Sequence, residues 1–501
     1  MSESKSVKQE LSILSPQIDL EQLKQHRSYL ELTRLSQNTG ADNVVIGLAS
    51  GNTSQFDVPA AAFNPAQSIL DFTATIPLEA AKYTYMPRDT FPCIDSIQVQ
   101  TSKGLNLLDH RFAPQYSKAI SKLECSYQKL QTGKKEGLLQ VCNARPSFSV
   151  TDGKVVHISD SKECYVSTSN GGATDAKVDG TTNAVQFTAA DVSAYRYNGD
   201  QVDNAYTENL YVVRSDYGAA LTVRFKLPLA DLVPSSILSK DQTLYVGEPL
   251  RVILNWSQGL NWGWTGTSAT NPATGAAAIT TVPTITLLRL YVAQERNENI
   301  IATLQSKFEA GTLNYLIPYP QSYKNSLDSA TSHNVTIRTN MSQGLRLRRI
   351  IHSIISGTEE KNNRYEITRI DNTGASIAGS YYTMVDNRRR QQFNVDMSDG
   401  KDEDYMLMYP HLKGSAIQSR DSFKYNWVHV EAFDELGSVA DRSAYDENIQ
   451  KGISLTSGRE LKWDFSLTLS AAEALKHYTF CIFERNLNPT PRGVMLDGLL
   501  G

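Results

Sequence analysis

Strict alternation of apolar and polar residues is written twice in nearly the same words, as GEPLRVILNW at 247–256 and as GRELKWDFSL at 458–467. In the first stretch Leu250, Val252, Leu254 and Trp256 fall on one face of an extended strand. In the second, Leu461, Trp463, Phe465, Leu467 and Leu469 do the same, while Arg251, Asn255, Lys462, Asp464, Ser466 and Thr468 take the opposite faces. A strand with one apolar face needs a second layer to cover it, so a chain carrying this strand twice is committed to two half-buried sheets of similar design.

The likeness extends beyond these strands. LRLYVAQERN at 288–297 follows the first copy and YTFCIFERN at 478–486 follows the second, so Glu295-Arg296-Asn297 and Glu484-Arg485-Asn486 each close an apolar strand. The connection between the members of each pair is long and rich in Gly, Ala and Thr in the first half and short in the second, as suits a surface loop. Short alternating segments account for most of the remainder: 68–78, 94–100, 210–214, 220–229, 333–339, 345–355, 365–370 and 423–433. Without regular intervening helices, they predict sandwiches or barrels rather than a parallel α/β sheet.

Two stretches read as helix instead. Asp19 with Gln22 makes a capping-box-like start, and Leu20, Leu23, Leu30 and Leu35 follow at roughly helical spacing, predicting an amphipathic helix over 19–36. Phe112, Tyr116, Ile120, Leu123, Tyr127 and Leu130 predict a second, within 106–131, interrupted or started near Pro114 and closing on Gly133. The expected fold is all-β dominated: two tandem β-sandwiches with an N-terminal helix and a helix inserted in the first sandwich. The division is an N-terminal helical arm over 1–44, a first sandwich over 45–297 with a polar insertion at 151–209, and a linker over 298–309. A second sandwich then covers 310–486 with an insertion at 357–421, before a C-terminal tail at 487–501.

In this arrangement the chain resembles the double jelly-roll major capsid proteins shared by tectiviruses, adenoviruses, large DNA viruses of algae and virophages. The residues that carry the resemblance are the twin strand pairs, FPCIDSIQVQTSKGLNLL leading into the helix at 106–131, VRFKLPLADLVP before the first twin strand, and LNYLIPYPQSYKN opening the second half. It covers about 45 to 486. The resemblance implies two jelly rolls and a homotrimer with a pseudo-hexagonal footprint that tiles an icosahedral shell beside neighbouring capsomers, penton and minor capsid or cement proteins. It further implies outward loops, an N-terminal arm directed inward toward an inner membrane or minor protein, and a place in the virion after synthesis in the host cytoplasm. Fused sandwiches repeated about a three-fold axis give six similar lobes, which explains why one strand recurs.

The other classes are weaker. Of 501 residues 40% are hydrophobic and 20% charged, and the net charge of -4 names no nucleic-acid partner. The opening residues lack a secretory apolar core, and Cys93, Cys125, Cys142, Cys164 and Cys481 form no CxxC, which suits a reducing, cytosolic origin without disulfide or zinc. GxSxG, GxxxxGK[ST], HExxH and GxGxxG do not occur, so no catalytic, cofactor or metal residue is assigned and the chain is read as not an enzyme. His352, His429 and His477 are expected to be structural or solvent-facing. The basic runs at 346–349 and 388–390 are read as a solvated strand face or a contact between protomers. Calcium at Asp396, Asp399, Asp402, Glu403 and Asp404 is disfavoured by spacing, and NWGW at 261–264 is read as an anchor packing on a neighbour rather than a sugar platform. The alternative from another class is a cytosolic β-sandwich that binds carbohydrate or a receptor, like a spike or fibre component, with a tandem-domain glycosidase behind it.

Overall fold

The computed structural model describes residues 28–35, 43–77, 79, 83–87, 91–124, 140–142, 210–214, 220–266, 277–339, 345–356, 378–385, 388–389, 391–397, 402–412, 415, 423, 427–433, 453–454 and 461–497. It also describes two short hairpins within 154–186. The expected strand at 365–370 lies outside these residues, as do residues 1–27.

The first half supplies β1 (Ser28–Thr33), β2 (Val44–Val45), β3 (Asn52–Val58), β4 (Phe63–Ile76), β5 (Tyr83–Pro87), β6 (Ile94–Thr101), β7 (Asn106–Arg111), helix α1 (Ala113–Glu124), β8 (Leu221–Pro228), β9 (Leu250–Trp256), β10 (Trp264–Gly266) and β11 (Thr284–Gln294). One sheet runs in the order β1 and β2, then β11, β4 and β8; the other runs β3, β9, β6, β7. Counting the eight main strands in chain order as B to I, with β1 and β2 together as B, these orders are B-I-D-G and C-H-E-F. That is the wiring of a jelly roll. The sheets face each other through alternating apolar residues, with Phe72 of β4 edge-on to Trp256 of β9 at 5.2 Å. Leu250, Val252, Leu254 and Trp256 are buried as their alternation requires, and Arg251 is exposed.

Helix α2 (Glu298–Glu309) joins the halves and is capped by Asn297, whose side chain accepts from the Asn299 amide. The residues expected to form a linker are therefore helical. Beyond it come β12 (Tyr315–Thr339), β13 (Arg346–Ser356), β14 (Ala378–Val385), α3 (Glu403–Leu412), β15 (His429–Ala432), β16 (Leu461–Thr490) and β17 (Gly493–Asp497). Two of these strands each serve twice. Tyr315–Leu327 pairs with Leu475–Leu487, the register then shifts, and Ser332–Thr339 pairs with Leu461–Thr468. Because Trp463 and His477 of the same strand stack at 4.9 Å, β16 must fold over itself between them. The result is again B-I-D-G (the start of β12, the end of β16, β13, β15) against C-H-E-F (the end of β12, the start of β16, β14, Val395–Asp396). The twin stretches of the sequence are strand H in both halves, and the segments ending in ERN are strand I.

Both halves send out a helix after strand F, and both turn into it through a left-handed residue: Phe112 at φ 59 before α1 and Asp402 at φ 58 before α3. The same first bond follows, from the Tyr116 amide to the Phe112 carbonyl at 3.0 Å and from the Met406 amide to the Asp402 carbonyl at 2.9 Å.

Four expectations need correction. Ser28–Thr33, placed in the N-terminal helix, is a strand paired with Arg289–Gln294, and Leu30 and Leu32 turn inward while Tyr29 and Glu31 turn out. Leu-x-Leu satisfies a period of two as well as a helical face, and the open edge of β11 selects the extended form. The helix expected within 106–131 begins only at Ala113, because Asn106–Arg111 pairs with β6. The insertion at 357–421 is not wholly a surface excursion: Ala378–Val385 is a sheet strand, and Tyr381, Val395, Met397, Met408 and Leu412 enter the core. The C-terminal tail returns as β17, pairing Gly493–Asp497 with Asn486–Thr490.

Candidate functional site

The two sandwiches meet through α1. Phe112, just before the helix, and Tyr116, in its first turn, project onto the outer face of strand I of the second half, Phe112 edge-on to Tyr478 at 5.4 Å and Tyr116 edge-on to Phe480 at 5.1 Å. The Tyr116 hydroxyl donates to the Pro234 carbonyl at 2.6 Å, and Lys324 lies 5.9 and 5.6 Å from the rings of Phe112 and Tyr478. Lys240 Nζ donates to the Leu316 carbonyl at 2.6 Å, and the Tyr245 amide donates to the Tyr315 hydroxyl at 2.9 Å. On α2, Phe308 covers Gly247, which turns the chain at φ 76 where a Cβ would overlap the ring. A single apolar cluster runs through both halves, so the sandwiches are fixed against each other.

A second concentration of chemistry lies inside the second sandwich. His352 of β13 stacks on Trp463 at 4.2 Å, and its Nδ1 lies 3.2 Å from His477 Nε2. Beside them His429 sits 3.7 Å from Asp404 and 3.5 Å from Glu431. Asp404, on α3, accepts from the Tyr381 hydroxyl at 2.6 Å and from the Trp427 indole at 2.5 Å. Burial pushes His352 well below the ordinary imidazole range, helped by the neighbouring His477 and His429, and pushes His477 down to about 3. Burial acts the same way on His429, but bonding to Asp404 and Glu431 and their charge outweigh it and raise the imidazole. Burial, then the Asp404 charge, holds the Tyr381 phenol well above its usual range. The histidines are 2%, 1% and 0% exposed in the order 352, 429, 477, so no substrate reaches them. Among the described residues no group of three or more His, Cys, Asp and Glu could hold a metal ion. The cluster is a polar seam of the core.

The remaining candidates are placed as follows. Arg348 and Arg349, expected on a solvated or intersubunit face, are buried, and Arg348 pairs with Glu484 at 2.6 Å out of reach of solvent. In the other basic run Arg389 covers the Tyr382 ring at 3.9 Å and bonds Asn394. Trp262 and Trp264 are neither a sugar platform nor an anchor for a neighbour. Both are buried, Trp262 bonding the Ser257 carbonyl at 3.2 Å and Trp264 stacking on Tyr85 at 5.5 Å. Of the acidic group Asp404 points into the core, and Glu403 accepts from the Asp396 amide. Cys93 and Cys481 are buried free thiols whose pKa burial raises, which makes them unreactive. The two ERN segments have diverged in role: Glu295 accepts from the Arg296 and Asn297 amides at 3.1 Å, whereas Glu484 neutralises Arg348. No helix among the described residues is long and apolar enough to cross a membrane.

No family model and no curated protein matches the chain. Among solved structures it is similar to one in the Sputnik virophage determined by cryo-EM (8% identity, TM-score 0.49, 95% of this chain and 89% of that one). It is also similar to the mavirus major capsid protein (12% identity, TM-score 0.48, 95% and 90%) and to a chain of the PBCV-1 virus capsid (12% identity, TM-score 0.48, 94% and 96%).

Proposed function

We propose that the chain is a viral major capsid protein, a structural subunit without catalytic activity, of which three copies form one pseudo-hexagonal capsomer of an icosahedral shell around a DNA genome. The observation that carries this reading is the duplicated wiring, two B-I-D-G and C-H-E-F sandwiches in one chain, fixed to each other by α1. The lobes correspond to residues 28–297 and 310–497. A rigid pair of like lobes becomes six lobes about a three-fold axis, and a six-cornered tile fills a flat facet. In this reading capsomers abut one another and penton and minor or cement proteins, the segment before Ser28 faces the inside of the shell or an inner membrane, and the insertion at 151–209 lies outside. The protein is made in the host cytoplasm and resides in the virion. The carbohydrate- or receptor-binding alternative loses its best platform, since Trp262 and Trp264 are buried.

Mass photometry of the purified chain, followed by negative-stain imaging under assembly conditions, tests the proposal. Trimers that close into shells are the expected result; a stable monomer at micromolar concentration defeats it.

A further inference from the structure

Helices α1 and α3 occupy equivalent places after strand F, yet their surroundings differ. Every described side chain of α1 is buried, and Tyr116 in its first turn lies against Phe480 of the second sandwich. Helix α3 buries only the stripe Asp404, Met408 and Leu412. Its other face leaves Met406 at 72%, Leu407 at 37% and Tyr409 at 43% exposure. Alignment on the left-handed residues Phe112 and Asp402 makes Met406 the counterpart of Tyr116. The position that clamps the sister lobe in the first half is thus the most exposed large apolar side chain among the described residues of the second.

The receiving face has a counterpart as well. Alignment on Glu484 and Glu295 pairs Phe480 with Tyr291 and Tyr478 with Arg289. Tyr291 and Arg289 lie on the outer face of the B-I-D-G sheet of the first lobe, since Leu288, Leu290 and Val292 fill its inner face. Tyr291 is half-buried, and Tyr29 on the adjoining β1 is 56% exposed. Within one chain α3 has no sister lobe ahead of it, whereas α1 does.

We infer that the Met406, Leu407 and Tyr409 face of α3 docks on the Tyr291 and Tyr29 face of a second copy of this chain, placing Met406 on Tyr291 between copies as Tyr116 lies on Phe480 within one. The inference rests on the capsomer reading and deepens it by naming the joint. The contact is head-to-tail, so it generates a ring if the rotation closes, and alternation of the internal and external joints closes after three chains. Burying large apolar side chains in a neighbour's aromatic face is also the usual remedy for an exposed apolar patch.

Met406→Asp and Tyr291→Asp, each made alone, are expected to raise the trimer dissociation constant by about tenfold or more, while Met495→Asp, at an exposed apolar site on β17, leaves it within about twofold. Far-UV circular dichroism identifies any variant that has lost its fold. A second measurement does not rely on disruption: a chain carrying both Met406→Cys and Tyr291→Cys, treated with a short bismaleimide, yields covalent dimers and trimers. Either substitution alone gives no more cross-linking than the parent chain. A trimer indifferent to both Asp substitutions, or one in which the paired cysteines fail to link or link only as far as dimers, overturns the docking while leaving the capsomer reading intact. A monomeric parent removes both.

Discussion

His352 lies flat on Trp463, with ring centroids 4.2 Å apart and planes 14° from parallel, although one residue belongs to the B-I-D-G sheet and the other to the C-H-E-F sheet. The pair marks where the second sandwich closes, and its neighbours His429, His477 and Tyr381 are all in ring contact with it.

Replacing Trp463 by alanine removes the common partner of this stack and leaves a cavity between the sheets. The expected cost is about 3–5 kcal/mol. Lys462, on the opposite face, makes a partly exposed ion pair with Asp464 at 3.2 Å, and Lys462→Ala should cost no more than about 1 kcal/mol. Urea midpoints of the two variants measure the difference, and equal midpoints would contradict the burial of the Trp463 face.

Acid should destabilise the fold. His110 and His477 are held down to about 3 by burial, and His352 well below the ordinary range by burial and then by His477 and His429, so these rings are neutral when folded and take up protons on unfolding below about pH 6.5. The stability they supply is complete above that pH and is lost as pH falls toward 3. His429, whose folded value is raised, works in the opposite sense: its contribution is present below about pH 6.5 and lost as pH rises through its folded value. Three groups outweigh one, and the melting temperature should drop between about pH 7 and pH 5. His477→Gln should flatten that dependence by roughly 1 kcal/mol per pH unit, whatever it does at neutrality. An unchanged slope means that His477 is not the titrating group.

Arg348 and Glu484 form a buried pair whose side chains are 4% and 1% exposed. Arg348→Ala removes the buried cation paired with Glu484 and should cost about 3–5 kcal/mol, whereas Arg348→Met combined with Glu484→Met should cost clearly less. Denaturant titration of both variants decides; a double variant worse than the single would mean that the pair contributes net stability.

Gly263 lies where a Cβ would overlap the Tyr85 carbonyl oxygen. Gly263→Ala must push β10 away from β5, with an expected loss of about 1–3 kcal/mol. Because Trp264 stacks on Tyr85, its fluorescence should shift to the red as the strand separates. A variant with native emission and melting temperature would show that the strands yield without cost.

Strand H was legible in both halves because Leu250 to Trp256 and Trp463 to Leu469 obey a strict period of two, which depends only on near neighbours. The edge strand at Ser28–Thr33 was not, since its partner Arg289–Gln294 lies at the far end of the lobe and Leu30 and Leu32 fit a helix equally well. Strand β14 hid in a polar context, with Tyr381 and Thr383 supplying its inward face. Helix α3 is interrupted by Pro410 and opens on acidic residues, yet Asp404, Met408 and Leu412 at intervals of four could have revealed it. The histidine seam joins residues from β13, β15 and β16, and no local spacing encodes such a meeting. Nor could charge reveal that Arg348 is buried, because only the fold brings Glu484 to it.

Strand β16 lies at the centre of both sheets of its sandwich, and this bears on how the protein is made. A ribosome releases the first lobe complete once Gln294 has emerged, and that lobe can close while synthesis continues. The second lobe has no such freedom: β12, β13 and β14 all pair with Leu461–Leu487. From the emergence of Val385 until that of Leu461 all three earlier strands wait without this partner, exposed to strands of neighbouring nascent chains. Dense polysomes should therefore entangle second lobes before first lobes, and chaperone occupancy during synthesis should be greatest between β12 and β16.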